Sequence, residues 1–391
     1  MHIIQSVIVY GLIVWIMTYC GKIAYRRQYP QGFGSVDMLA NKKVSFVSLL
    51  TQSYFVIPIF VFCFFASIRY RVGVDCESYK SIFYDIGQYG FSERAEDIES
   101  GFVVLSEFVY YLTSSHHLLF FILAFLQIVF YYYGLRKNRY ALIFLGVAIM
   151  LTGHYWSLMN GMRQNVAACA FVAMIPLIKD KRWIYYIISV LIVSLMHRSA
   201  LMLLPLGLVV YCLPNKLPNT KVQLMILVAC FLLMNRFDNV LSSTSEYASY
   251  AGYNEDQIES YTSLENTTYT FGFRMYLLYF VYVGAIIYSN NMSKMFNREY
   301  FTVCYYLFFM GICLTLLFYN DFTIRRLLYY LNCFTPIIVS ALFFYLWRNK
   351  RYWILLSLII VLLARTLYDG YANIIEHAHC ETFLYKFDIL F

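Results

Sequence analysis

Residues 183–212 read WIYYIISVLIVSLMHRSALMLLPLGLVVYC. Two apolar runs, Trp183–Leu195 and Ala200–Leu213, meet at Met196-His197-Arg198-Ser199-Ala200-Leu201. The runs are continuous rather than alternating, so they are helices and not the strands of a membrane barrel. A histidine and an arginine at the seam of two hydrocarbon-bound helices are expensive to place, which marks them as residues the chain uses.

The same pattern recurs along all 391 residues, of which 61% are hydrophobic, 20% aromatic and only 13% charged, with mean hydropathy +0.60. Soluble domains carry about 25% charged residues. The longest polar segments, Ser67–Ser100 and Asn235–Gly272, are each under 40 residues and too short to hold a core of their own. The expected fold is therefore an all-α polytopic membrane protein, a single integral membrane domain over residues 1–391.

About twelve spans are expected, within a range of 10–14: near residues 3–20, 44–66, 118–135, 140–153, 163–178, 183–196, 200–213, 222–234, 273–289, 300–318, 327–346 and 352–367. Ile3–Cys20 has no charged lead and no small-residue cleavage site, so it reads as a retained first span. Short basic loops follow alternate spans, at Lys22–Lys43, Arg136–Arg139, Lys179–Arg182, Lys216–Lys221, Lys294–Arg298 and Arg348–Arg351. The positive-inside rule puts these in the cytoplasm. Both termini, loops 67–116 and 235–272 with their short helices, and His197 then fall outside. The net charge of +8 is a topology signal and does not point to nucleic acid.

The outer side keeps twelve basic residues: Arg69, Arg71, Lys80, Arg94, Arg163, Arg198, Arg236, Arg274, Arg325, Arg326, Arg365 and Lys386. Ten are arginine, the side chain that binds phosphate bidentately. Ordinary pairing with outer carboxylates is one explanation. It weakens for Arg163, Arg198, Arg274, Arg325 and Arg326, because Asp321 alone is close to any of them in sequence. The other is an outward-facing anionic site at membrane depth, suited to a lipid-linked pyrophosphate.

Asn160, Arg163 and Gln164 stand at i, i+3 and i+4, on one face if the segment is helical. His197 is either a base near neutral pH or a histidine bonded to another helix, and His154 is the next candidate. His116 and His117 read as interfacial, and His377 and His379 as solvated. Asp75 and Glu77 form a D-x-E pair that either holds a divalent metal or pairs with Arg69 and Arg71, the second being favoured. Glu99–Leu112 reads as an amphipathic surface or re-entrant helix. The carboxylates and tyrosines of loop 235–272 suit sugar stacking and hydroxyl binding, although tyrosine is also common at membrane interfaces. Of ten cysteines, only Cys76 and Cys380 lie in polar segments, where a disulfide is conceivable. P-loop, GxSxG, GxGxxG, HExxH and Cys/His metal spacings are absent, as is an intramembrane acidic relay.

Arg71-x-Gly73-x-Asp75-x-x-x-Tyr79, Glu99-x-Gly101-Phe102, Gly161-x-Arg163-Gln164, His197-x-Ser199-Ala200-Leu201 and the late Arg325-Arg326 pair follow one another in this order. This series resembles the EpsG-like group of Wzy-type polysaccharide polymerases. Cys76 departs from the aromatic residue usual there, and the C-terminal tail matches poorly. The resemblance implies a bacterial inner-membrane enzyme of O-antigen, capsule or exopolysaccharide synthesis, with a GT-C type fold and no cofactor or required metal. Its donor and acceptor would be oligosaccharides on undecaprenyl pyrophosphate, its site would face the periplasm or exterior, and a chain-length regulator would be a possible partner.

In the mechanism this suggests, an acceptor hydroxyl attacks the donor's anomeric carbon. Arg163, Arg274 and Arg325 or Arg326 hold the leaving pyrophosphate, with Arg71, Asn160, Gln164 and Arg198 as further substrate ligands. His197 is the expected base and Asp75 or Glu99 the alternative. Rival readings are a flippase for the same lipid-linked sugar, and a metal-dependent polyprenyl-phosphate-sugar transferase using Asp75 and Glu77.

Overall fold

The computed structural model describes residues 2–33, 46–89, 98–234, 271–296, 298–375 and 384–388. Its first half contains α1 (His2–Gln28), α2 (Phe46–Thr51), α3 (Ser53–Ser67), α4 (Cys76–Tyr89), α5 (Ser100–Thr113), α6 (His116–Gly134), α7 (Leu142–Leu151), α8 (His154–Met159) and α9 (Met162–Lys179). Its second half contains α10 (Trp183–Ser194), α11 (Leu203–Cys212), α12 (Thr220–Leu232), α13 (Phe273–Met295), α14 (Arg298–Leu317), α15 (Phe322–Leu327), α16 (Tyr329–Asn332), α17 (Thr335–Arg348) and α18 (Tyr352–Ile375). No strand occurs among the described residues; one isolated bridge joins Arg69 to Phe387.

α9 lies between α6 and α16, and α7 between α1 and α17, so these helices form the centre. Residues 335–346 of α17 are buried without exception. One continuous hydrophobic cluster runs from Val9 of α1 to Tyr385. The outward faces are also apolar: Ile4, Trp15, Ile184, Met225, Leu232 and Trp353 are all exposed. A surface of this kind is stable against lipid and a liability in water. The chain is an all-α membrane protein.

Five described helices are long and apolar enough to cross a bilayer: His2–Gln28, His116–Gly134, Glu299–Leu317, Ile324–Arg348 and Tyr352–Tyr371. Six further apolar helices have 10–17 residues. At 1.5 Å per residue, a 12-residue helix such as α10 covers about 18 Å of a ~30 Å core. Each expected span falls on helix among the described residues, and five of the twelve are both long and apolar enough to cross. Hydropathy finds apolar runs; it does not measure how a short helix is tilted or continued by the next.

The opening seam is a break. α10 ends at Ser194, His197 is extended (φ −161°, ψ 119°), and a 3-10 turn over Arg198–Met202 leads into α11. The bundle has two chemically different ends. Gln28 Nε2 donates to Lys137 O at 2.8 Å, Asn290 Nδ2 to Pro218 O at 3.2 Å, Tyr306 OH to Lys216 O at 2.7 Å, and Arg351 Nη1 to Tyr288 OH at 2.9 Å. The basic loops flanking these contacts thus gather at one end. The start of α1, where Ser6 Oγ accepts from Tyr385 N–H at 2.7 Å, lies at the other, with Arg69 and the motif residues.

Candidate functional site

Glu99 precedes α5 and is buried. Its Oε1 accepts from His197 Nδ1 at 2.6 Å and from the Arg198 N–H at 2.9 Å, while Oε2 pairs with Arg163 Nη1. Burial pushes this carboxyl up, but the His197 hydrogen bond and the Arg163 charge outweigh it and bring it down to about 2. The Arg163 guanidinium also lies 5.1 Å from the centre of the Phe102 ring. The Glu99-x-Gly101-Phe102 motif therefore supplies a carboxylate, a close approach and an aromatic floor in four consecutive residues.

Gly101 makes the close approach. Its N–H donates to Leu195 O at 2.9 Å, and a Cβ on Gly101 would sit 2.7 Å from that oxygen. Gly101→Ala is expected to push α5 off the 195–198 segment and pull Glu99 from His197. The detergent-solubilised variant should unfold at a lower midpoint than the wild type; an unchanged midpoint would show that this close approach carries no structural weight.

Asp75 has a different task. Its N–H donates to Asn160 Oδ1 at 3.0 Å, and its Oδ2 accepts from Gly161 N–H at 2.9 Å. Gly73 brings this loop in at φ +94°, where a Cβ would lie 2.6 Å from Met159 O. The D-x-E pair is consequently divided: exposed Glu77 lies 3.6 Å from Arg71 and 3.7 Å from Lys80. The expected pairing with arginine holds for Glu77, whereas the Asp75 carboxylate is bound to backbone.

The expected common face of Asn160, Arg163 and Gln164 does not form. Gly161, at φ +49°, is the N-cap of α9 and leaves Asn160 extended outside the helix. The three side chains reach different partners: Asn160 the Asp75 N–H, Arg163 Glu99, and Gln164 Nε2 both Arg326 O at 2.8 Å and Ser199 Oγ at 3.4 Å. Ser199 Oγ in turn contacts Tyr330 OH at 2.8 Å. Arg198 is exposed and meets Glu99 through its backbone, and Arg71 is exposed beside Tyr70.

The remaining arginines meet elsewhere. A cavity of about 340 Å³ is lined by Arg274, Arg325, Arg326, Arg365 and His154, with a tyrosine wall of Tyr279, Tyr282, Tyr319 and Tyr329. No carboxylate lines it among the described residues. Asp369 approaches from behind, 3.0 Å from Arg365 Nη2 and 3.7 Å from Arg274 Nη1. Asp321 caps α15 by accepting from Ile324 N–H at 2.8 Å, which orients the turn that carries Arg325 and Arg326. Four guanidiniums around one opening can grip a polyanion from several directions.

The structure thus joins Arg274 to Arg325 and Arg326, and assigns Arg163 and His197 to the Glu99 assembly. His197 does not line the arginine cavity. Glu99, whose two oxygens already accept three bonds, is unsuited to the base role offered to it as an alternative. Arg365 and His154 enter the site instead. Arg365 belonged to the outer arginine excess, the one sequence signal that could have promoted it; the four wall tyrosines carry no signal in so aromatic a chain.

Arg69 is fully buried and binds backbone oxygens, with Nε donating to Val72 O at 2.9 Å, and stacks over Phe120 at 4.4 Å. His116 lies 3.0 Å from Asp388 and His117 Nδ1 lies 2.8 Å from Ser67 O, so both clamp segments together. Of the expected helix Glu99–Leu112, residues 100–112 are helical in α5, which packs against α4 and α6. Cys76 is a buried free thiol, and its suggested partner Cys380 lies outside the described residues, as do His377, His379 and all but the last two residues of loop 235–272.

No curated protein and no solved structure matches this chain. The model of the EpsG family matches residues 53–386, which contain both the Glu99 assembly and the arginine cavity. With most of its length so matched, the chain belongs to the EpsG family, a family of Wzy-like polysaccharide polymerase-type membrane proteins.

Proposed function

We propose that this protein is a glycosyltransferase that joins undecaprenyl-pyrophosphate-linked oligosaccharide repeats into O-antigen, capsular or exopolysaccharide and releases undecaprenyl pyrophosphate. It works in the bacterial inner membrane with the arginine cavity facing the periplasm or exterior, on a GT-C-like scaffold of about twelve segments. Donor and acceptor are both lipid-linked oligosaccharides, and a chain-length regulator acts beside it.

The observation that carries this reading is the convergence of Arg274, Arg325, Arg326 and Arg365 on one cavity at the end opposite the basic loops. A pyrophosphate gains negative charge as the anomeric C–O bond breaks, and fixed guanidiniums stabilise that charge without reorganising. The Glu99–His197–Arg163 assembly has a positioning role. It fixes the 195–199 segment and the start of α9, from which Gln164 and Ser199 hold Arg326 O and Tyr330 OH.

A flippase would need its cationic path open to both leaflets, and here the arginines gather at one end. A metal mechanism at Asp75 and Glu77 is disfavoured because the two carboxylates serve separate partners. In proteoliposomes supplied with lipid-linked repeat, the protein should produce a ladder of lengths and stoichiometric undecaprenyl pyrophosphate, with EDTA leaving both unchanged. Translocation of repeats without any ladder would overturn the proposal in favour of transport.

A further inference from the structure

Among the described residues, one group lining the cavity is able to take a proton from an incoming sugar hydroxyl. His154 opens α8 at the rim that begins with Thr152 and Gly153, and it lines the cavity beside the four arginines. Its Nε2 lies 2.7 Å from Tyr131 OH, and that hydroxyl donates to Cys333 O at 2.6 Å. A phenol has a single hydrogen. With that hydrogen on Cys333 O, Tyr131 can only accept from the histidine, so Nε2 carries the proton and a neutral ring has its lone pair on Nδ1. Nδ1 has no hydrogen-bond partner among the described residues. The arrangement fixes the tautomer through one nitrogen and leaves the other available, as a second group does for the histidine of a hydrolytic triad.

We propose that His154, through Nδ1, is the general base that deprotonates the acceptor hydroxyl, an assignment that rests on the polymerase reading above. The acceptor O–H gives its proton to Nδ1 as the oxygen forms the new bond to the donor's anomeric carbon. The bond from that carbon to the pyrophosphate oxygen breaks, and the electron pair leaves with the lipid pyrophosphate among Arg274, Arg325, Arg326 and Arg365. The imidazolium then passes its proton to water as the product departs.

Burial holds this imidazole down to about 3. A pyrophosphate bound among the arginines places negative charge beside the ring and favours its protonated form, so the ring becomes a stronger base when the donor is in place. His197 lacks this coupling, because its Nδ1 is engaged by Glu99 and it lies outside the cavity lining.

The test uses the full chain in proteoliposomes and reads two quantities: turnover of lipid-linked repeat and equilibrium binding of undecaprenyl pyrophosphate. His154→Gln should lower turnover about 100-fold or more while changing binding by less than about threefold. Turnover within about threefold of wild type, or equal losses of turnover and binding, would overturn the base assignment. Tyr131→Phe keeps the ring packing and removes the acceptor for Nε2–H; it should lower turnover about tenfold at unchanged binding. If His154→Gln does not fold, unchanged turnover in Tyr131→Phe overturns the assignment alone. A wild-type protein that makes no polymer from lipid-linked repeat sinks the polymerase reading itself, a result separable from any variant's behaviour.

Discussion

Arg325→Ala is expected to cut polymer formation about 10²–10³-fold with the bundle intact, and the Arg325→Ala/Arg326→Ala pair to bring it to background. Both side chains line the cavity, but the contact that ties this turn to α9 runs from Gln164 to the Arg326 backbone oxygen. Truncating either side chain spares that contact. The loss should appear mainly in turnover, because the leaving pyrophosphate carries more charge in the transition state than in the bound donor. Lysine at either position should recover only part of the rate, since an ammonium cannot make the forked contact of a guanidinium. Time courses of ladder formation by the purified variants decide the matter. Wild-type rates in the double variant would remove this cavity from the reaction.

Glu99→Ala should produce the largest loss of stability. The carboxylate is buried between Arg163, His197 and the Arg198 N–H, so its removal strands a guanidinium and two further donors in one move. Breaking a buried pair of this kind costs about 3–5 kcal/mol. The pH dependence follows from the carboxyl's fall from its ordinary 4.5 to about 2. A folded-state value below the unfolded one gives stability that is complete above pH 4.5 and is lost as the pH falls toward 2. That difference corresponds to about 3 kcal/mol. Thermal unfolding of the detergent-solubilised protein should therefore show a midpoint dropping between pH 5 and pH 3 in the wild type and flatter in Glu99→Gln. Parallel profiles for the two proteins would contradict the assigned role.

Much of this architecture is already legible in the composition and the positions of charge. Continuous apolar runs can satisfy their backbone groups in lipid only as helices, so the all-α membrane class follows from the chain itself. The loop charges separate the two ends, and the contacts of Gln28, Asn290 and Tyr306 reproduce that separation. The number of full crossings was not legible. Whether α10, with 12 residues, reaches both surfaces depends on its neighbours and not on its hydropathy.

For the site, the sequence determined which residues are costly: an arginine excess on one side, His197 at a seam, and short motifs in fixed order. Only the tertiary structure decided which of them meet. Glu99 and His197 are 98 positions apart and share a hydrogen bond. Arg163 is taken by Glu99, while Arg365 joins Arg274, Arg325 and Arg326 around one cavity. The physical reason is that an arginine's type is fixed by the chain but its partner is fixed by packing. A guanidinium beside a buried carboxylate becomes a brace, and one beside three others becomes a seat for an anion.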